Sequence, residues 1–307
     1  MSLFFVLLGK LLPLYLLIGA GYIVGALFHL KRQVVALILL YVLSPLVVLE
    51  GGLTAHLTRA TLSLPLIFLF LCSALCLIFL AASSLVWREN DSLRNLAAFA
   101  SANGNTGYFG IPAAMALFPS DVLGLVVLCS LGFLLYESSV GFFILARGNY
   151  TFRESVGKLL KLPLLYAFAL GVILNMLRFS PPAAVFGFLH DVRSAYSVLG
   201  MMLIGLGLAG EKFSAVDSRL LGFTTVAKCV IWPALMMIII TVDRRVFHFF
   251  GEDVHGVMLL MAMVPLAVNT VVYSSVLKVH PEKAAVAVMV STLLALFMIP
   301  ALSVLFL

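Results

Sequence analysis

The chain has 307 residues, 63% of them hydrophobic and 10% charged, with a mean hydropathy of +1.18. A soluble domain is about half apolar and about a quarter charged, which excludes an ordinary cytosolic enzyme and a disordered chain. The net charge of +6 is scattered over short loops and is no nucleic-acid footprint.

Polar breaks divide the chain into expected helices at 3–28, 33–55, 62–87, 93–118, 121–145, 160–177, 194–210, 219–242, 254–279 and 282–306. At ~20 residues per crossing, each segment is a membrane-helix candidate. Continuous apolarity without period-two alternation argues against a barrel. The loops leave no room for a soluble domain. The run from Leu3 to Phe28 is too long, and lacks the charged leader, for a cleavable signal.

Leu12-Pro13-Leu14 with Gly21 and Ile23 recurs as Leu162-Pro163-Leu164 with Gly171 and Ile173, close to half the chain length away. Each segment opens five expected helices, which divides the chain into 1–150 and 151–307. Five is odd, so two such halves insert with opposite orientation. Inverted repeats are a common build for secondary transporters, with the substrate near the midplane. The odd-numbered loops carry 12 Lys and Arg against 5 in the even-numbered ones. The positive-inside rule then puts the odd loops in the cytoplasm and both termini outside.

Apolarity fails most densely in the fourth helix, at Ser101-Ala102-Asn103-Gly104-Asn105-Thr106-Gly107-Tyr108-Phe109-Gly110-Ile111-Pro112. Such a run breaks a helix. In lipid the freed backbone groups are tolerated only where protein or a water-filled cavity satisfies them. A helix restarting near Pro112 would aim free amides at that cavity, a seat for an anion. Asn103, Asn105 and Thr106 add neutral polar groups. The ninth helix holds the weaker partner, Pro265 followed by Asn269 and Thr270. Proline kinks and interhelical hydrogen bonds are the plain alternative for these residues.

Two ionisable groups lie deep inside expected helices, while Glu50 sits nearer a helix end where it meets water and Lys10 snorkels to the outer surface. Lys228 either attracts an anion or proton, or holds helices together; Glu137 either carries a coupling proton or is the static partner of Lys228. Cys72, Cys76, Cys129 and Cys229 read as small buried hydrophobes, and the six histidines fall in loops or at helix ends. No metal site, cofactor motif or nucleophile–base pair is expected. Gly205, Gly207 and Gly210 allow close helix packing or sliding.

The order and spacing of these pieces resemble the auxin efflux carrier family, which includes plant auxin exporters and bacterial permeases for malonate and malate. Asn105-Thr106 with Gly110-Ile111-Pro112 resembles the Asn-Thr-x-x-x-Gly-Ile-Pro pattern of the plant members. So do Gly200-Met201-Met202 with Leu206-Gly207-Leu208, Lys228 with Pro233, and Val279-His280-Pro281 with Ser291-Thr292 and Ile299-Pro300. The resemblance implies an all-α polytopic membrane protein of ten helices in two inverted five-helix repeats, the fourth and ninth broken and crossing at the substrate site. It implies that Asn105 touches a substrate carboxylate and that Pro112 and Pro265 shape the crossing. The short link from Ala146 to Lys161, in place of a long central loop, fits a bacterial member in the inner membrane.

The expected function is secondary transport of a small organic anion, a mono- or dicarboxylate, by alternating access. The expected partners are that anion and the lipid bilayer, with a homodimer as an open arrangement and no nucleic acid. A sodium-coupled carrier of the bile-acid symporter type, a membrane-embedded enzyme and a non-transporting receptor are the rivals.

Overall fold

The structure, a computed structural model, describes residues 3–54, 59–88, 92–119, 122–161, 163–209 and 216–306. Helix accounts for 84% of the chain, and no strand occurs among the described residues. Helices satisfy every backbone polar group within one segment, which is what a chain this apolar requires in lipid. His56, Leu162, Gly210 and Lys212 lie outside the described residues, as do the side chains of Lys10, Arg59, Pro112 and Pro300.

In chain order, α1 (Leu3–Phe28) is followed by α2 (Arg32–Ile38) and α3 (Ser44–Thr54), joined without a break by a π-helical turn at Leu39–Leu43. Next come α4 (Arg59–Ser83) and α5 (Leu93–Ala102). After a gap at 103–105, a π turn at Thr106–Gly110 leads into α6 (Ile111–Leu117). The next run is α7 (Leu123–Tyr136), a π turn at Glu137–Gly141 and α8 (Phe142–Arg147). A short α9 (Phe152–Leu159), not expected from the sequence, starts at a capping box in which Thr151 and Glu154 bond reciprocally. Then follow α10 (Pro163–Met176) and α11 (Ala183–Leu208). One continuous run holds α12 (Ser218–Val226), a π turn at Ala227–Ile231, α13 (Trp232–Val242) and a π turn at Asp243–Phe247. The chain closes with α14 (Glu252–Met263), a non-helical gap, α15 (Asn269–Leu277) and α16 (Pro281–Phe306).

Six stretches among the described residues are long and apolar enough to cross a membrane: Arg32–Leu53, Ser63–Ser83, Leu125–Arg147, Ala183–Leu208, Ser218–Phe247 and Pro281–Ile299. The expected fourth and ninth helices are not among them because each is cut in two. Large apolar side chains on α1, α4, α10 and α13 stay exposed, including Leu16, Phe70, Ile173 and Ile238, as lipid-facing residues do. The broken segments are innermost: Leu96–Ala102 and Val257–Val268 are buried throughout.

Three sequence expectations need correction. The seventh helix begins at Ala183, eleven residues before 194, so His190 and Arg193 are helical rather than in a loop. The eighth continues past 242 to Phe247, which takes Arg244 and Arg245 into its last turn. The fourth restarts at Thr106, not near Pro112, which is the second residue of α6. Its non-helical gap is therefore only three residues.

Glycines set the closest packing. A Cβ on Gly205 of α11 would lie 2.0 Å from the Ile18 carbonyl oxygen of α1, and one on Gly21 of α1 would lie 2.1 Å from the Met202 carbonyl oxygen of α11. Likewise, a Cβ on Gly171 of α10 would lie 2.7 Å from the Leu49 carbonyl oxygen of α3. These are backbone-to-backbone contacts that only glycine permits.

Candidate functional site

The two gaps meet. After Ala102 the backbone turns extended at Asn103, and its next helical turn starts at Thr106. After Met263 the backbone leaves the helix at Val264 (φ −60°, ψ 146°), passes Pro265 and restarts at Asn269. The Asn105 amide donates to the Pro265 carbonyl at 2.8 Å, so one gap satisfies the other. In the middle of a membrane protein such backbone groups have few other partners. The Leu266 amide donates to Ser291 Oγ of α16 at 3.0 Å. Gly104 is where the gaps pack most tightly: a Cβ there would lie 2.8 Å from Val264 Cγ2 and 3.3 Å from Lys228 Nζ.

Glu137 joins the two gaps through its side chain. Asn103 Nδ2 donates to its Oε1 at 2.7 Å, and Asn269 Nδ2 donates to its Oε2 at 2.6 Å. Asn103 Oδ1 accepts the Gly104 amide at 2.8 Å. Asn269 Oδ1 accepts the Tyr196 hydroxyl of α11 at 2.9 Å. The carboxylate is 3% exposed. A buried carboxylate is costly unless hydrogen-bonded, and here one asparagine from each gap supplies the bond.

Lys228 sits in the π turn between α12 and α13, 1% exposed, with no hydrogen-bond partner for Nζ. The expected static pair with Glu137 does not form, since both Glu137 oxygens accept from asparagines instead. Lys228 Nζ lies 4.8 Å from the centroid of the Trp232 ring, a cation–π contact. Trp232 Nε1 donates to the Ser101 carbonyl at 2.8 Å, closing the last turn of α5.

A cavity of ≈ 160 Å³ opens at the crossing. Gly104, Asn105, Thr106, Gly107, Glu137 and Asn269 line its inner end, with Ile111, Leu131, Phe133 and Val268 as apolar walls. Its mouth lies between α3 and α11, where Arg193 Nη1 stands 4.0 Å from Glu50 Oε1. Its helical walls come from α3 at Glu50 and Gly51, from α6 at Ile111, from α7 between Val127 and Leu134, and from α11 at Arg193, Tyr196 and Ser197.

The opposite face is closed by polar contacts. Arg32 reaches Glu282 at 3.5 Å and the Gly207 carbonyl at 3.3 Å. Ser92 Oγ pairs with His280 Nε2 at 2.9 Å. Asn149 Nδ2 donates to the carbonyls of Leu277 at 3.2 Å and Lys278 at 2.8 Å. Lys283 Nζ donates to Asp217 at 2.9 Å.

Of the residues singled out from sequence, Asn103, Asn105, Thr106, Glu137, Pro265 and Asn269 come together here. Thr270 is buried beside Asn269, its hydroxyl without a hydrogen-bond partner, but does not line the cavity. Lys228 stands behind Gly104, outside the cavity wall. Sequence reasoning missed Tyr196, Ser130 and Ser197 on the wall and the Glu50–Arg193 mouth. The available signal was a tyrosine and two serines within stretches long and apolar enough to cross a membrane. Among the described residues no cluster of His, Cys, Asp and Glu suits a metal ion. His255 pairs with Asp243 at 2.9 Å, away from this cavity.

The chain matches no family model and no curated protein.

Proposed function

We propose that the chain is a secondary transporter of a small organic anion, a mono- or dicarboxylate, and a bacterial member of the auxin efflux carrier family. The observation that carries this reading is the meeting of two interrupted helices at a cavity, bonded through Asn105 and Pro265 and bridged by Glu137. Paired discontinuous helices at the midplane are the mark of a transport site. The Asn105 and Thr106 groups, at the start of a helical turn, supply neutral donors to a carboxylate.

Ten crossings in two inverted halves agree with the chain order above, counting each interrupted helix as one. The packing of Gly21 against Met202 and of Gly171 against Leu49 supports the repeat, because the two glycines of the sequence echo occupy equivalent contacts. In this reading the arginine- and lysine-rich face is cytoplasmic, in the bacterial inner membrane, with both termini outside. The cavity then opens outward, and the contacts of Arg32, Ser92, Asn149 and Lys283 close the inner face. Alternating access exchanges these two conditions.

Uptake of labelled malonate and indole-3-acetate into proteoliposomes tests the reading, for the native chain and Asn105→Ala. Saturable uptake lost in the variant is expected. Full transport by the variant at low substrate overturns the site, and binding without flux favours a receptor. Sodium-independent uptake separates this carrier from a sodium-coupled symporter.

A further inference from the structure

The hydrogen bonds around Glu137 form a chain with one fixed end and one reversible end. At the fixed end, Asn103 Oδ1 accepts a backbone amide, Gly104 N–H, at 2.8 Å. An amide can only donate, so the Asn103 side chain has one orientation and its Nδ2 must face Glu137 Oε1. At the other end, Asn269 stands between Glu137 Oε2 at 2.6 Å and the Tyr196 hydroxyl at 2.9 Å. A hydroxyl both donates and accepts, so this asparagine can make two hydrogen bonds in either orientation. With Glu137 ionised, Nδ2 faces Oε2 and Tyr196 donates to Oδ1. With Glu137 protonated on Oε2, the acid O–H donates to Oδ1 and Nδ2 donates to the tyrosine oxygen. Each arrangement holds two hydrogen bonds along the chain, and they differ in one thing: with the proton bound, the Tyr196 O–H no longer donates to Asn269.

Tyr196 and Glu137 both line the cavity. We infer that Glu137 is a proton-binding site whose loading, relayed by reversal of the Asn269 amide, turns the Tyr196 hydroxyl toward the cavity as a donor to an organic anion. Protonation also removes the negative charge that repels that anion. Proton and anion thus bind together, and a carrier built this way moves them in the same direction. The link to transport rests on the function proposed above; the proton site and its switch do not.

The surroundings allow this. Among the described residues, the titratable groups facing Glu137 are Tyr136 beside it, Tyr273 on α15, Cys72 on α4 and Tyr196 on α11. The charged ones are Lys228, which forms no ion pair with it, and the Arg193–Glu50 pair at the mouth. Among the described residues no arginine or lysine hydrogen-bonds to the carboxylate, whose two oxygens each accept from an asparagine amide.

The test uses the full chain in lipid nanodiscs. Infrared difference spectra between about pH 8 and about pH 5 are expected to show a carboxylic-acid band that Glu137→Gln abolishes and Asn269→Leu shifts. Glutamine reproduces the protonated pattern, accepting from Asn103 and donating to Asn269, so this variant keeps the fold. Binding of indole-3-acetate is expected to be about tenfold tighter at the lower pH in the native chain. Glu137→Gln should bind tightly at both values, and Tyr196→Phe should show a smaller gain at low pH than the native chain, keeping only the share that comes from neutralising the carboxylate. Comparing variants at each pH cancels the titration of the probe itself. A native acid band that survives Glu137→Gln, or an unaltered pH dependence of binding in that variant, overturns the proposal. So does a full low-pH gain in Tyr196→Phe. A band lost in Glu137→Gln and shifted in Asn269→Leu, with neither malonate nor indole-3-acetate bound or carried by any variant, upholds the proton switch and overturns the organic-anion reading.

Discussion

Gly205 gives the sharpest mechanical prediction. Its Cβ position lies 2.0 Å from the Ile18 carbonyl oxygen and 2.5 Å from the Tyr22 amide nitrogen. Ordinary contact begins at 3.4 Å, so Gly205→Ala forces α1 and α11 apart by about 1.4 Å along that line. The opposing atoms are backbone in mid-helix and have no rotamer to change. Overpacking costs about 1–3 kcal/mol where side chains can adjust, and the upper end applies here, about 3 kcal/mol. Gly187 lies on the same helix with nothing within 4 Å of its Cβ position. Gly187→Ala should therefore cost nothing and gain up to ~0.8 kcal/mol of helix propensity. Thermal melting of the detergent-purified protein reads both. A fall of roughly 6–12 °C is expected for Gly205→Ala and none for Gly187→Ala. Equal melting of the two variants would refute the close contact of α1 with α11.

Other consequences follow from single contacts. Trp232→Phe removes the donor to the Ser101 carbonyl and leaves that acceptor buried, costing about 1–3 kcal/mol in chemical denaturation; native stability in this variant would count against the bond. Partial burial pushes the Asp217 carboxyl up, but hydrogen bonds from Lys283 and from the Leu220 and Arg219 amides outweigh it and hold the group below its ordinary value of 3.8. A lowered carboxylate stabilises the fold above its unfolded pKa, and that contribution is lost as pH falls through the folded value. The native melting temperature should therefore drop further below pH 3.8 than that of Lys283→Met, in which the difference shrinks. Asn149→Ala removes two hydrogen bonds across the closed face. In a background with the four native cysteines replaced, it should raise the labelling rate of Ser275→Cys by a thiol reagent added on that face; an unchanged rate would show that Asn149 does not hold the face shut.

The sequence by itself determined where helices run and where two of them fail. Both are local matters: an apolar segment in lipid must satisfy its own backbone, and Asn-Gly-Asn or a proline interrupts that within a few residues. The exceptions are instructive. The start of α11 carries His190, Asp191 and Arg193, and its mean hydropathy of 1.2 is the lowest of the six long apolar stretches. Hydropathy assigns such residues to a loop, yet backbone bonding extends the helix through them. His190 and Asp191 face outward, and Arg193 reaches the cavity mouth.

Only the tertiary structure decided how the polar residues were partnered. Glu137 and Lys228 are the two charges deepest inside expected helices, which makes them look like a pair. Packing instead puts Glu137 between Asn103 and Asn269, 34 and 132 residues away, and leaves Lys228 against Trp232. A buried carboxylate is satisfied by whichever donors the backbone breaks bring within reach. Those distances depend on how α7, α11 and the two interrupted helices cross, which no local spacing along the chain encodes.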